Sequence, residues 1–213
     1  MTTSPVYVRA TCANCERPKI TCICRWITPL ATSVEIVILQ HPLEMHQAKG
    51  SARLLQLSLH TSRLFAGELL SSEARQAILQ PNRRVVLLYP QSPPGTAASP
   101  DAAPLLDPAW LHQPAQLRLI VLDATWRKSR KMLYLNPLLQ TLPRLALTNT
   151  PASRYQIRKA QRVDQLSTLE ATCQALLQLG QPTDGIAALL AGFDGFVRQQ
   201  AGYQINPGPM QYR

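Results

Sequence analysis

Three short runs of β-branched and aliphatic residues constrain the fold of this chain most strongly. They cover residues 34–39, 85–89 and 117–122, and segments with helical spacing of their apolar residues separate them. Apolar runs of this length are typical of strands buried on both faces of a sheet. We therefore predict an α/β fold in which helices cover both faces of a mostly parallel sheet.

The polar ends of these runs mark the place to look for a ligand site, because open parallel sheets bind ligands beyond the carboxyl ends of their strands. The ends fall at His41, Tyr89 and Asp123. The other predicted elements are weak strands at 61–65 and 145–147, a short helix that begins at a Ser72 cap, and helices at 128–135, 167–179 and 183–202.

Positive charge is concentrated in one part of the chain. The chain has 22 Lys and Arg against 12 Asp and Glu, and residues 118–163 contain ten of the cations and a single acid, Asp123. A positive field of this kind favours a polyanionic partner, most simply a nucleic acid. The alternative is a basic surface that serves solubility alone.

Four of the five cysteines lie within 13 residues, in the spacing C-x2-C-x6-C-x-C. Four thiolates complete the tetrahedral shell of one zinc ion, and such a closed site stabilises a fold but does not catalyse. Disulfides and chance spacing are the alternatives. We predict a zinc-binding segment at 1–30, followed by a main domain at 31–213. The expected ligands are Cys12, Cys15, Cys22 and Cys24.

A second constellation follows the run at 117–122. Asp123 could accept a proton or a hydrogen bond, Thr125 could orient it, and Trp126 could stack on a base or a ligand ring. The alternative is a helix start, in which Asp123 or Thr125 caps the helix and Trp126 packs into the core. The residues alone leave both interpretations open.

The segment Asp123-Ala124-Thr125-Trp126 resembles the signature of the DTW-domain family. The resemblance extends over about residues 10–180, in the family's order. Its other blocks are the cysteine segment with Arg17-Pro18, His41-Pro42-Leu43-Glu44, the block at 51–55 (in which Ser51 stands where the family pattern has Thr), Tyr89-Pro90, and the blocks at 153–159 and 166–171.

Members of this family are tRNA-uridine aminocarboxypropyltransferases of the SPOUT type, with a deep trefoil knot. The resemblance therefore implies transfer of the 3-amino-3-carboxypropyl group of S-adenosylmethionine to N3 of a tRNA uridine, with release of methylthioadenosine. It also implies a donor site in the knotted loops. The absence of G-x-G-x-x-G after any predicted strand argues independently against a Rossmann-type cofactor site.

The resemblance and the charge together suggest specific site residues. Asp123 is the expected catalytic base, or else it holds the donor's ammonium or ribose, and Thr125 and Trp126 accompany it as catalytic residues. The expected donor-binding residues are Tyr89, Pro90, Leu122, Asp123, Leu147, Ser153, Tyr155, Ser167, Thr168 and Glu170. The expected RNA-binding residues are Arg127, Lys128, Arg130, Lys131, Arg154, Arg158 and Lys159. A capping-box-like helix start is the alternative role for Ser167, Thr168 and Glu170.

Two other functions are compatible with these features: a SPOUT-type tRNA methyltransferase that uses the same donor, and a non-enzymatic RNA-binding protein with bound zinc. The chain shows neither a secretory signal pattern nor an uninterrupted apolar stretch of membrane-spanning length. We therefore expect a cytoplasmic protein that does not bind a membrane, and the resemblance implies tRNA as its partner.

Overall fold

A five-stranded parallel sheet forms the centre of the protein. Its structure, a computed structural model, describes residues 10–45, 47–91, 103–153 and 166–205. The strand order is β2-β1-β4-β3-β5, and every neighbouring pair is parallel. The predicted α/β architecture is therefore confirmed. The strands are β1 (Glu35–Gln40), β2 (Ser62–Ala66), β3 (Arg84–Leu88), β4 (Leu117–Asp123) and β5 (Arg144–Leu145).

Seven α-helices are present in the described residues, and short 3-10 turns join some of the elements. The helices are α1 (Ala52–Ser58), α2 (Ser72–Leu79), α3 (Pro108–Leu111), α4 (Trp126–Leu135), α5 (Pro137–Gln140), α6 (Thr168–Gln178) and α7 (Thr183–Ile205). None of the described helices combines the length and the apolar character needed to cross a bilayer.

The two faces of the sheet bury separate hydrophobic clusters. Along β1, Ile36 and Ile38 point into a cluster that includes residues of α1, α6 and α7. Val37 and Leu39 point into the opposite cluster, with residues of α2, α4 and α5. Because successive strand residues face opposite sides, an aliphatic run such as this one needs apolar cover on both faces. The predicted coverage by helices on both faces is confirmed.

Some helix boundaries differ from the sequence-based expectation. The short helix α2 is capped by Ser71, whose hydroxyl accepts a hydrogen bond from the Ala74 amide at 3.2 Å, and Ser72 is its first residue. Helix α7 continues beyond Gly202, which lies inside the helix without a left-handed backbone angle. Helices α3 and α5 were not predicted. Each begins with a proline, which is favourable at a first helical position.

Arg118 does not belong to the positive surface that the sequence suggested. The residue lies on β4 with its side chain fully buried, and one guanidinium nitrogen donates to Glu35 Oε2 at 2.9 Å. Burial alone would raise the pKa of Glu35, but hydrogen bonds from Arg118 and Arg63 bring that pKa below its ordinary value. Arg118 is therefore part of an internal ion pair, since a buried cation requires a compensating charge.

The cysteine segment packs against α7. Trp26 lies over a glycine face of this helix, and a Cβ added at Gly195 would come within 2.2 Å of the Trp26 ring. The indole of Trp26 donates a hydrogen bond to Gln199, whose amide donates to the Cys22 carbonyl at 3.1 Å. Cys15 also belongs to the same hydrophobic cluster as residues of α6 and α7. The segment is thus joined to the main core.

Candidate active site and metal site

Asp123 is the last residue of β4, and its buried carboxylate joins three parts of the chain. Gln40, paired with it in register on β1, donates from Nε2 to Oδ2 at 2.8 Å. Thr168, the first residue of α6, donates from Oγ1 to Oδ1 at 2.6 Å. Both carboxylate oxygens therefore accept a hydrogen bond, and the two donors fix the orientation of the carboxylate in the folded protein.

The start of α4 does not match the alternative in which Thr125 caps the helix and Trp126 packs into the core. Thr125 occupies the N-cap position, but its side chain makes no capping hydrogen bond. Trp126 is 48% exposed, so it is not a core residue. Its ring lies edge-on to Tyr89 at a centroid distance of 5.8 Å. The guanidinium of Arg144, on β5, lies 5.4 Å from the centre of the Tyr89 ring. The segments that follow β3 and β4 thus carry partly exposed aromatic surface at the edge of the sheet where Asp123 lies.

The start of α6 shows the capping box that was the alternative role for Ser167 and Glu170. Ser167 Oγ accepts from the Glu170 amide at 3.2 Å, and Glu170 Oε2 accepts from the Ser167 amide at 2.8 Å. The Ser153 hydroxyl donates to the same carboxylate at 2.9 Å. Ser51 Oγ accepts from the Leu169 amide at 3.3 Å. These bonds stabilise the helix end that presents Thr168 to Asp123.

The remaining predicted donor-binding residues are distributed around this edge. Leu122 packs with the cluster beneath α4, and Leu147 packs with the cluster on the other face. Pro90 is exposed, and its carbonyl accepts from Arg144 at 3.4 Å. Tyr155 lies outside the described residues, as do the predicted RNA-binding residues Arg154, Arg158 and Lys159.

The four cations of α4 fall into two groups. Lys128 Nζ pairs with Glu44 Oε1 at 2.8 Å, and Lys131 Nζ pairs with Glu68 Oε2 at 3.0 Å. Glu68 also contacts His41 Nε2 at 3.1 Å, and the bonds from Lys131 and His41 lower the pKa of Glu68 below its ordinary value. Arg127 and Arg130 are exposed and belong to no ion pair within the described residues. The two arginines therefore supply the uncompensated positive charge of this helix.

Two polar groups of this edge were missed from the sequence. Gln40 carried a signal, because it is a polar residue at the end of a buried strand. Which carboxylate it meets depends on the pairing of β1 with β4, and the chain does not reveal that pairing. Glu68 lies in the loop after β2, and no local pattern links it to His41 or Lys131.

The four cysteines predicted as zinc ligands come together. Their sulfur atoms all lie within 4.8 Å of one another, with 3.6 Å between Cys12 and Cys24 and 3.7 Å between Cys15 and Cys22. Four thiolates at about 2.3 Å from one zinc ion would lie roughly 3.8 Å apart, so the cluster fits this metal. We refer to Cys12, Cys15, Cys22 and Cys24 as the four-cysteine cluster.

The metal-free thiols of this cluster differ in acidity. Hydrogen bonds from the backbone amides of Cys15 and Asn14 lower the pKa of Cys12 to about 6. Burial and the neighbouring thiols raise the pKa of Cys24 to about 12. Because a metal binds thiolates, loading of the cluster near neutral pH must release the proton of Cys24.

The chain is similar to several known proteins. The DTW domain model matches residues 9–201 of the chain. A Drosophila melanogaster protein named "tRNA-uridine aminocarboxypropyltransferase 2" is 31% identical over 182 residues, which is 82% of this chain and 68% of that protein. "tRNA-uridine aminocarboxypropyltransferase A" of Arabidopsis thaliana is 33% identical over 132 residues, 58% of this chain and 50% of that protein.

A Macaca fascicularis protein, also named "tRNA-uridine aminocarboxypropyltransferase 2", is 28% identical over 178 residues, 81% of this chain and 57% of that protein. The chain thus spans between half and about two thirds of the length of these relatives. No solved structure matches it. The domain match covers the four-cysteine cluster, the Asp123 edge and the start of α6 together, and the chain belongs to the DTW-domain family.

Proposed function

We propose that this protein transfers the 3-amino-3-carboxypropyl group of S-adenosylmethionine to N3 of a uridine in tRNA, which makes it a tRNA-uridine aminocarboxypropyltransferase. The names of the relatives and the family membership support this activity. One structural observation supports assigning this activity to particular residues. A buried carboxylate, Asp123, is held by Gln40 and Thr168 at the carboxyl end of β4, and the half-exposed Trp126 begins the helix that follows this strand.

The residues at this edge fit the donor chemically. S-adenosylmethionine carries an ammonium group and ribose hydroxyls, which a buried carboxylate accepts, and an adenine ring, which packs on apolar and aromatic surface. Asp123 supplies the carboxylate on the face of the sheet that packs against α6, and Tyr89 and Leu122 supply surface on the opposite face, at the same carboxyl edge. The other residues proposed to hold the donor are Pro90, Leu147, Ser153, Tyr155, Ser167, Thr168 and Glu170.

The donor supplies a sulfonium-activated γ carbon. Transfer forms one C–N bond at uridine N3, breaks one C–S bond of the donor, and releases the N3 proton. Asp123, with its orientation fixed before substrate arrives, is proposed to accept either that proton or a hydrogen bond from the donor. Thr125 and Trp126 are proposed to line the place of the uridine, with Trp126 stacking on the base.

The other parts of the chain have proposed supporting roles. The four-cysteine cluster is proposed to bind one structural zinc ion, with residues 1–30 as the zinc-binding segment and 31–213 as the catalytic domain. Arg127 and Arg130 are proposed to contact tRNA phosphates, as are Arg154, Arg158 and Lys159. A trefoil-knotted core of the SPOUT type and a cytoplasmic location stay predictions from the resemblance and the sequence.

The proposal is tested by incubating the purified chain with S-adenosylmethionine and unmodified tRNA. Methylthioadenosine and a uridine carrying the aminocarboxypropyl group, found by mass spectrometry of tRNA nucleosides, are the expected products. S-adenosylhomocysteine as the by-product would instead identify a methyltransferase, and RNA binding without any turnover would identify a non-enzymatic binding protein. Either of these results overturns the proposal.

The role of Asp123 is tested by Asp123→Asn, which keeps the shape and removes the charge. Transfer is expected to fall by roughly a hundredfold or more in single-turnover assays. Calorimetry then separates the two roles, since affinity for S-adenosylmethionine stays nearly intact if Asp123 is a base and falls if Asp123 holds the donor. Asp107→Asn is the matched control, because Asp107 is an exposed helix cap and Asn caps equally well. Turnover at the control level by Asp123→Asn would refute both roles.

A further inference from the structure

Helix α4 presents an aromatic and basic stripe that begins at the candidate site. Trp126, Arg130 and Tyr134 are spaced four residues apart, so their side chains follow one another along one face of the helix. All three are exposed, and Tyr134 at 79% is the most exposed aromatic side chain among the described residues. The buried residues of the helix, Ser129 and Met132, face the sheet instead.

The charge of this stripe is not neutralised within the described part of the chain. Two of the four cations of α4 are paired with carboxylates, whereas Arg127 and Arg130 flank the exposed aromatic rings and take part in no ion pair there. Single exposed apolar side chains are common on protein surfaces. Two exposed aromatic rings with Arg130 between them on one helix face, and Arg127 on the adjacent face, are instead typical of surfaces that bind unpaired nucleic acid.

The distance between the rings of Trp126 and Tyr134 determines how many nucleotides of a bound strand fit between them. Trp126 and Tyr134 are eight residues apart, which is about 12 Å along a helix axis at roughly 1.5 Å per residue. Stacked nucleotides rise about 3.4 Å each along one strand, so roughly three steps fit between the two rings. A paired A-form helix keeps its base faces stacked and inaccessible, and only an unpaired segment can offer a base to Tyr134.

We infer that α4 binds a short unpaired segment of tRNA, in which a base about three nucleotides from the target uridine stacks on Tyr134 while Arg127 and Arg130 contact the intervening phosphates. The inference rests on the proposed function for the position of the target uridine at Trp126. The surface itself predicts a general property that does not depend on catalysis, namely a preference for single-stranded over double-stranded RNA.

The test measures fluorescence anisotropy of a labelled uridine-containing single-stranded RNA of 12 nucleotides, and of the same sequence as a duplex, without S-adenosylmethionine. Tyr134→Ala is expected to weaken binding of the single strand by roughly 5- to 100-fold and to leave duplex binding and the salt dependence unchanged. Tyr134→Phe, which keeps the ring, restores the affinity. Arg130→Ala instead flattens the slope of log affinity against log salt by about one.

Leu79→Ala is the matched control, because Leu79 is an exposed apolar residue at the end of α2. The thermal midpoints of all variants are compared first. A loss of affinity is attributed to RNA binding only in a variant whose midpoint matches that of the wild type. Wild-type affinity in Tyr134→Ala would overturn the inference, as would equal losses for single strand and duplex. These readouts need no chemistry, so a failure of the transferase proposal would appear separately, as missing methylthioadenosine.

Discussion

Replacing Thr168 by Val removes the hydroxyl that donates to Asp123 at 2.6 Å and keeps the shape of the side chain. A hydrogen bond to a charged group contributes about 1.5–3 kcal/mol, whereas a neutral one contributes about 0.5–1.5 kcal/mol. Since the acceptor is a buried carboxylate, we expect the free energy of unfolding to fall by about 1.5–3 kcal/mol. If the orientation of Asp123 limits transfer, the single-turnover rate falls by roughly 10- to 100-fold, at tenfold for each 1.4 kcal/mol.

The chain contains a close control for this change one helical turn later. Thr172 is fully buried, whereas Thr168 is partly exposed, and the Thr172 hydroxyl donates to the Thr168 carbonyl at 2.7 Å, within the same helix. Thr172→Val removes a bond between neutral groups and does not touch Asp123, so we expect a loss of about 1 kcal/mol or less and an unchanged transfer rate. Urea unfolding gives the stabilities and rapid-quench assays give the rates. Equal effects of the two substitutions on both quantities would refute the role assigned to the Thr168–Asp123 bond.

Three other predictions follow from the fold and the metal site. Metal analysis of the protein is expected to give about one zinc per chain, bound at the four-cysteine cluster. Removal of zinc by a chelator is expected to lower the thermal midpoint. A metal-free protein with unchanged stability would contradict the structural role of zinc. Gly195→Ala is expected to destabilise the protein by about 1–3 kcal/mol in urea unfolding, because the new methyl group meets the Trp26 ring. Gly202→Ala is the control: a Cβ there has no atom within 4 Å, so we expect this change to be neutral or slightly stabilising. Folding lowers the pKa of Glu35 from 4.5, so the stabilising contribution of its carboxylate is present above that pH and is lost as the pH falls through the lowered pKa. In Glu35→Gln, the free energy of unfolding in urea is therefore expected to fall less steeply with decreasing pH below about pH 4.5 than in the wild type.

The sequence predicted elements well and contacts between distant elements poorly. The strands around 34–39 and 117–122 were found because their aliphatic runs carry the signal locally. The hydrogen bond between Gln40 and Asp123 joins residues 83 positions apart and depends on β1 lying beside β4, which no local pattern encodes. Arg118 was assigned to the surface by its charge, although its place inside an apolar run was a sign of burial.

The cations of α4 illustrate the same limit. Their positions on an exposed helix were predictable from the sequence, but the carboxylates that neutralise Lys128 and Lys131 come from loops after β1 and β2. The cysteine spacing correctly predicted that the four sulfur atoms come together, because the four residues lie within one short segment. The contact of Thr168 with Asp123 was not predicted, because the resemblance only placed both residues at the donor site.

The packing of α7 against Trp26 has a consequence for the order of events during synthesis. Trp26 and Gln199 are hydrogen-bonded but lie 173 positions apart. At roughly 5–20 residues per second, the ribosome needs about 10–35 s to make the chain between them. During that interval the cysteine segment is already synthesised, while the glycine surface that covers Trp26 does not yet exist. A metal captured by the nascent chain in that interval is bound before the helix that covers Trp26 has been made.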